Sequence, residues 1–159
     1  MILILFVCMG NICRSPSAEA VMNSIIEKNG LSDKIKCDSA GTISYHVGET
    51  ADERMIRHAS KRGYNLNSIA RKIQHMDLEQ FDYIITMDDE NYDNVVTLDV
   101  DKKYQHKISK MTDYCRDFSA NEVPDPYYGG PQGFEYVLDL LEDACAGLLD
   151  HILKEHLEI

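Results

Sequence analysis

The chain opens on six consecutive apolar residues, Ile2-Leu3-Ile4-Leu5-Phe6-Val7, which deliver Cys8 into Met9-Gly10-Asn11. A short apolar run bounded by turn residues reads as a strand buried on both faces. From Pro16 the period changes. Ala18, Val21, Met22, Ile25 and Ile26 recur at helical spacing, and Gly30 lies where a C-cap would stop the helix. Ser15 as N-cap and Pro16 at the first helical position are expected to define its start. Ile35 to Ser39 predicts a second, half-polar strand, followed by a loop holding Gly41, Ser44, Tyr45 and Gly48. Met55, Ile56 and Ala59 predict a second helix ending near Gly63. Phe81 to Met87 predicts a third strand, and Asp88-Asp89-Glu90 suits a following helix, with acidic side chains at the positive dipole end. A weaker strand is expected around Lys107 to Met111, then a long loop from Asp117 to Gly133 with three of the four prolines. The last helix carries the stripe Phe134, Val137, Leu138, Leu141, Cys145, Leu148, Leu149 and Ile152.

Strands alternating with helices predict an α/β fold, a parallel sheet covered on both faces through right-handed crossovers. The 159 residues fit one domain, 1–159, without internal repeat or linker. In such sheets ligands bind beyond the carboxyl ends of the strands. Cys8 follows the first strand, Ser39 and Tyr45 the second, and Met87-Asp88 the third, so these segments are expected on one rim.

Charge narrows the partners. A formal net charge of -11 argues against nucleic acid and against an acidic membrane surface. An anion site must then draw its positive potential from backbone dipoles and one or two Arg. Five scattered cysteines, an odd number, disfavour a disulfide framework and point to a reducing, cytoplasmic compartment. The apolar start is too short to span a bilayer and lacks the features of a secretion signal. The six histidines show no metal-ligand spacing and most read as solvated, and Arg54, Arg57, Lys61 and Arg62 read as a basic helix face.

The candidate chemistry sits in the first loop. Arg14 lies six positions after Cys8, so the loop of Met9, Gly10, Asn11, Ile12 and Cys13 can curl to bring thiol and guanidinium to one small anion, phosphate foremost. Helix N-terminal N–H groups and a nest of loop amides favour such an anion. A free Cys has a pKa of about 8.5, and a helix N-terminus with a neighbouring cation lowers it. Arg14 offers a planar fork for two phosphate oxygens, and the Ser15 hydroxyl can donate to the Cys8 sulfur. A Cys and an Arg at this spacing arise often by chance, and Cys8 could be a buried strand-end thiol. The whole context of strand, Cys-x5-Arg-Ser-Pro and amphipathic helix is far rarer. No Gly-Lys-Ser/Thr of a Walker loop is present.

At Val7 to Pro16 the chain resembles the low-molecular-weight protein tyrosine phosphatases. Asp38-Ser39-Ala40-Gly41-Thr42, Ala70-Arg71, Phe81 to Ile84 with Met87-Asp88, and Asp125-Pro126-Tyr127-Tyr128-Gly129 are similar to that family's other signature segments. The resemblance covers nearly the whole chain. It implies a four-stranded parallel sheet ordered 2-1-3-4 with flanking helices, and hydrolysis of aryl phosphate monoesters without metal or cofactor. It implies a tyrosine-phosphorylated protein as substrate, with phosphate, sulfate or vanadate as active-site anion. Many relatives carry His two residues before the Ala of Ala70-Arg71, where this chain has Ser68. In the family that His holds the loop Asn, here Asn11, in a left-handed conformation, which Asn tolerates better than most residues. Ser15, Ser39 and Ser68 are the expected substitutes, and Asp88 is expected to support the loop.

Departure of a phenolate, whose parent phenol has a pKa near 10, calls for a proton donor. Asp125, stiffened between Pro124 and Pro126, is the candidate acid, and burial beside a phosphate dianion should favour its protonated form. Tyr45, Tyr127 and Tyr128 are expected to wall the cleft, with Met9 and Ile12 at its floor or rim. Cys13 is a candidate partner for a reversible peroxide-induced disulfide with Cys8; exclusive sulfinic acid on Cys8 would end that idea. Two rivals stand. A thioredoxin-coupled arsenate reductase needs closely spaced relay cysteines, whereas Cys37, Cys115 and Cys145 are far apart. A non-catalytic phosphotyrosine-binding module should have lost Cys8 or Asp125, and both are present.

Overall fold

The computed structural model describes residues 1–157. Its strands are β1 (Ile2–Cys8), β2 (Ile35–Gly41), β3 (Tyr83–Thr86) and β4 (Ile108–Lys110). Its helices are α1 (Arg14–Lys28), α2 (Glu53–Lys61), α3 (His75–Gln80), α4 (Asp89–Leu98) and α5 (Pro131–Ile152). The four strands form one parallel sheet ordered β2-β1-β3-β4.

The apolar run of β1 follows from its central place. Successive side chains of a strand point to opposite faces. Ile4, Phe6 and Cys8 join Met22 and Ile26 of α1 and Leu141 and Cys145 of α5 in one core. Leu5 and Val7 join Leu78 of α3, Val95 of α4 and Ile84 in the other. Both faces are dry, so no polar alternation survives. Helix α2 instead packs Met55 and Ala59 against Ile12, Cys13, Phe134 and Leu138, leaning on the loop after β1. Among the described residues no helix is long and apolar enough to cross a membrane.

Three boundaries differ from expectation. Helix α1 starts at Arg14 with Cys13 as N-cap, which makes Ser15 a first-turn residue and not the cap. The Ser15 hydroxyl is engaged by Cys8 and Asn11 and is not available to a backbone N–H. Pro16 still falls in the first turn, where a missing N–H has no helical partner to lose. Helix α5 starts earlier, at Pro131, and Phe81 caps the end of α3 instead of opening β3. Helix α3 has no apolar period to betray it; the Asp77 carboxylate caps it by accepting the Gln74 N–H at 2.8 Å.

The register places the site. Gly41 pairs with Cys8 at the carboxyl ends of β2 and β1. A Cβ on Gly41 would lie 2.7 Å from the Met9 carbonyl oxygen, so only glycine lets the loop pass over β2. Thr42 N–H then donates to the Cys8 carbonyl at 2.9 Å and Ile43 N–H to that of Met9 at 3.1 Å. The end of β2 thus holds the start of the loop from one side.

Candidate active site

Cys8 ends β1 inside the core, 2 % exposed, with its sulfur facing the curled loop. Asn11 N–H points at the Cys8 Sγ from 3.3 Å, and Ser15 Oγ lies 3.0 Å away. Asn11 Nδ2 donates to that same Ser15 oxygen at 2.8 Å, which leaves the hydroxyl hydrogen free to point to sulfur. Asn11 has φ 58°, the left-handed conformation that turns its N–H inward. The expected support divides unevenly. Ser15 contacts Asn11, but Ser39 Oγ donates to Glu19 Oε1 at 2.6 Å, and the buried Ser68 Oγ has no hydrogen-bond partner. The second brace on Asn11 is the Arg71 N–H, which donates to its Oδ1 at 3.0 Å.

Arg14 is 2 % exposed and fixed at one end. Its Nη1 donates to Asp88 Oδ2 at 2.6 Å and to the Val123 carbonyl at 3.1 Å, while Nη2 lies 3.6 Å from Asp125 Oδ2. Burial works against its charge, but the Cys8 sulfur and the Asp88 and Asp125 carboxylates outweigh burial and raise its pKa above the usual arginine range. Asp88 has two tasks. Its Oδ1 caps α4 by accepting Asn91 N–H at 2.8 Å, and its Oδ2 fixes the guanidinium plane.

Asp125 sits across the cleft with its side chain 31 % accessible. Its Oδ1 accepts Tyr127 N–H at 3.0 Å, which leaves Oδ2 turned to Arg14. The cleft, about 320 Å³, is lined by the loop residues Cys8, Met9, Gly10, Ile12, Cys13 and Arg14. Ile43, Tyr45, His46, Asp125, Tyr127 and Tyr128 complete its lining. Tyr45 and Tyr128 stand out at the rim, 80 % and 87 % exposed, whereas Tyr127 is half-buried.

Several neighbours went unread in the sequence. His46 lines the cleft, its ring 4.8 Å from that of Tyr45. Two of the four side chains of the basic cluster at α2 are engaged. Arg62 pairs with Glu135, Asp139 and Glu142, and Arg54 pairs with Asp52. The Asp-x-Arg pattern at a helix start was the available signal for the Arg54 pair.

The model of the family described as low molecular weight phosphotyrosine protein phosphatase matches residues 3–158. A Synechocystis sp. protein provisionally named as a low molecular weight protein-tyrosine-phosphatase is 53% identical, covering 96% of this chain and 97% of that protein. A Bacillus subtilis low molecular weight protein-tyrosine-phosphatase is 42% identical, covering 98% of each. A crystal structure of protein tyrosine phosphatase from Entamoeba histolytica, with Hepes in its active site, superposes with a TM-score of 0.91 at 48% identity, covering 100% of each chain. With the motifs, the sheet order and these matches in agreement over the full length, the chain belongs to the low molecular weight phosphotyrosine protein phosphatase family.

Proposed function

We propose that this protein hydrolyses aryl phosphate monoesters, phosphotyrosine in proteins foremost, through a cysteinyl-phosphate intermediate. One observation carries the reading: the Cys8 sulfur, the Arg14 guanidinium and the Asp125 carboxyl converge on one cleft walled by tyrosine rings. In the first step the Cys8 thiolate attacks phosphorus, an S–P bond forms and the aryl P–O bond breaks, while Asp125 gives its proton to the departing oxygen. In the second step Asp125, now a carboxylate, takes a proton from water. The water oxygen attacks phosphorus, the S–P bond breaks, and thiolate and inorganic phosphate are released. Arg14 and the loop amides hold the equatorial oxygens through both steps, and the Ser15 hydroxyl steadies the sulfur whenever it carries charge.

Phosphate, sulfate and vanadate fit the same cradle. The Hepes in the active site of the Entamoeba relative carries a sulfonate and supports an oxyanion here. A relay of thiols as in arsenate reduction finds little support, since Cys37, Cys115 and Cys145 do not line the cleft. Burial pushes all three thiols up, Cys115 to about 11. Five free cysteines suit a reducing compartment, the cytoplasm. The reading includes a reversible Cys8–Cys13 disulfide under peroxide, because Cys13 is buried in the same loop.

Turnover of para-nitrophenyl phosphate, insensitive to EDTA and blocked by vanadate, is the expected result. Cys8→Ser should abolish turnover and keep phosphate binding largely intact. Asp125→Ala should slow phenyl phosphate, with its poor leaving group, at least tenfold more than para-nitrophenyl phosphate, a margin on the order of general-acid assistance. Equal losses on the two esters would remove Asp125 from the mechanism.

A further inference from the structure

Besides the ion pair of Asp125 with Arg14, the Asp125 loop is held to the rest of the fold by one hydrogen bond. Among the described residues, the single hydrogen bond from elsewhere in the fold to residues 124–129 is Arg54 Nη2 to the Tyr127 carbonyl, 3.0 Å. Pro124 and Pro126 have no N–H to offer, and the remaining bonds, Tyr127 N–H to Asp125 Oδ1 and Gly129 N–H to the Pro126 carbonyl, are internal to the loop. The anchoring side chain is itself rigidly held. Arg54 Nε and Nη2 fork onto the two oxygens of Asp52 at 3.1 and 2.9 Å, and its guanidinium lies over the rings of Tyr127, at 5.2 Å, and Phe134, at 5.0 Å. Asp52 is fixed in turn, because its N–H donates to the Ile12 carbonyl at 2.9 Å. The Ile12 peptide belongs to the loop that cradles the anion. An unbroken polar path therefore runs from that loop through Asp52 and Arg54 to Tyr127, and from the Tyr127 N–H to the carboxyl of Asp125.

From this path, and resting on the phosphatase reading above, we propose that Arg54 is a positioning residue for proton transfer: it sets the distance of the Asp125 carboxyl from the anion loop. Asp125 is exposed and flanked by residues without donors; Arg14, 3.6 Å from its Oδ2, and the bonds at Val123 hold it from the other side, and Arg54 holds the half of the loop beyond it. An acid that must reach an oxygen within hydrogen-bond distance loses effect when displaced by an ångström. Burial of Asp52 opposes its charge, but its hydrogen bonds from Arg54 outweigh this and hold it below the usual carboxylate range, so the fork stays ionised at neutral pH. Arg54 does not line the cleft, so its removal takes away no group that faces an oxyanion there.

The test is a mutant cycle read as kcat/KM on phenyl phosphate and para-nitrophenyl phosphate, with vanadate affinity alongside. Arg54→Met should lose on the order of tenfold on phenyl phosphate, the scale of a misplaced acid, and clearly less on para-nitrophenyl phosphate. Vanadate affinity should not move. In the Asp125→Ala background the Arg54→Met loss should vanish, because no acid remains to be misplaced. Arg54→Lys keeps a donor near the Tyr127 carbonyl without the fork; it should lose a few-fold on phenyl phosphate, less than the Met variant and again more than on para-nitrophenyl phosphate, and it serves alone if the Met variant does not fold. An equal loss on both esters, a loss that persists without Asp125, or no loss in either variant would overturn the proposal while leaving the phosphatase reading in place. Absence of turnover in the folded wild-type protein would overturn that reading, and the positioning role with it.

Discussion

Asn11 carries the tightest local constraint in the molecule. It is 1 % exposed, has φ 58°, and both ends of its amide are bonded, to Ser15 Oγ at 2.8 Å and from Arg71 N–H at 3.0 Å. Two contributions can be separated there, backbone strain and side-chain bonding. Asn11→Gly keeps the left-handed backbone and removes both bonds. Asn11→Ala removes the same bonds and adds the steric penalty of a left-handed Cβ, about 1–2 kcal/mol. Chemical denaturation should therefore rank the variants wild type, Gly, Ala, and vanadate affinity should fall in the same order as the loop relaxes. If Gly and Ala prove equally stable, the left-handed conformation is not enforced and the inward N–H at Cys8 loses its explanation. The missing family His has a visible consequence here. The Ser68 oxygen is buried without a partner and takes no part in holding Asn11, whose Oδ1 is held by the Arg71 N–H.

Helix α5 shows how an element can invert a residue preference. Gly147 lies in its interior, where Gly is about 1 kcal/mol less favourable than Ala, so propensity alone makes Gly147→Ala stabilising. A Cβ there would meet the Tyr114 carbonyl oxygen at 1.9 Å, inside the 3₁₀ turn Met111–Tyr114 that packs on the helix. Backbone cannot yield as a side chain does, and overpacking of this kind typically destabilises by about 1–3 kcal/mol. Gly147→Ala should lower the melting temperature; a rise would show that the turn moves freely. The same contrast between local pattern and packing marks what the sequence could and could not tell. The strands β1 and β2, the stripe of α5 and the Cys8–Arg14 loop were legible, because periodicity and an uncommon motif are properties of neighbours along the chain. The start of α1 was misread because Ser15 has a better use than capping, created by Cys8 and Asn11 only once the loop curls. His46 in the cleft, the Arg71 brace and the Arg54 bond to the Tyr127 carbonyl were not legible. Each depends on a partner brought from far along the chain, such as Tyr127, 73 residues from Arg54.

For the whole molecule, acid stability is set by which carboxylates gain and which lose by folding. Asp143 on α5 is 8 % exposed; burial opposes its charge, but the N–H groups of Phe118, Arg116 and Asp117 outweigh it and hold its pKa below the usual range. Those three donors, at 3.0 to 3.2 Å, tie the start of the loop that later carries Asp125 to the core helix. Glu135 is held low by Arg62 and then His58, and Asp52 by Arg54 against its burial. Glu19 works in the opposite direction, since burial raises it and its ionised form is disfavoured in the fold. A carboxylate with a lowered folded pKa binds fewer protons folded than unfolded, so its contribution is complete above the unfolded value, about 3.9 for Asp, and is lost as pH falls below it. The net charge of -11 adds self-repulsion that protonation relieves. Between pH 7 and 5, relief of repulsion and of Glu19 should leave stability level or slightly raised; below about pH 4 the lowered group should dominate and stability should fall. Asp143→Asn isolates one member. At pH 7 it should cost about 2 kcal/mol, since a neutral amide oxygen accepts three backbone donors less well than a carboxylate. Because that side chain no longer titrates, the gap to wild type should close as pH drops toward 3 in urea melts at fixed salt. A gap that stays constant across this range would mean that Asp143 contributes through shape alone, and that the acid limb belongs to the ion pairs of α2 with α5.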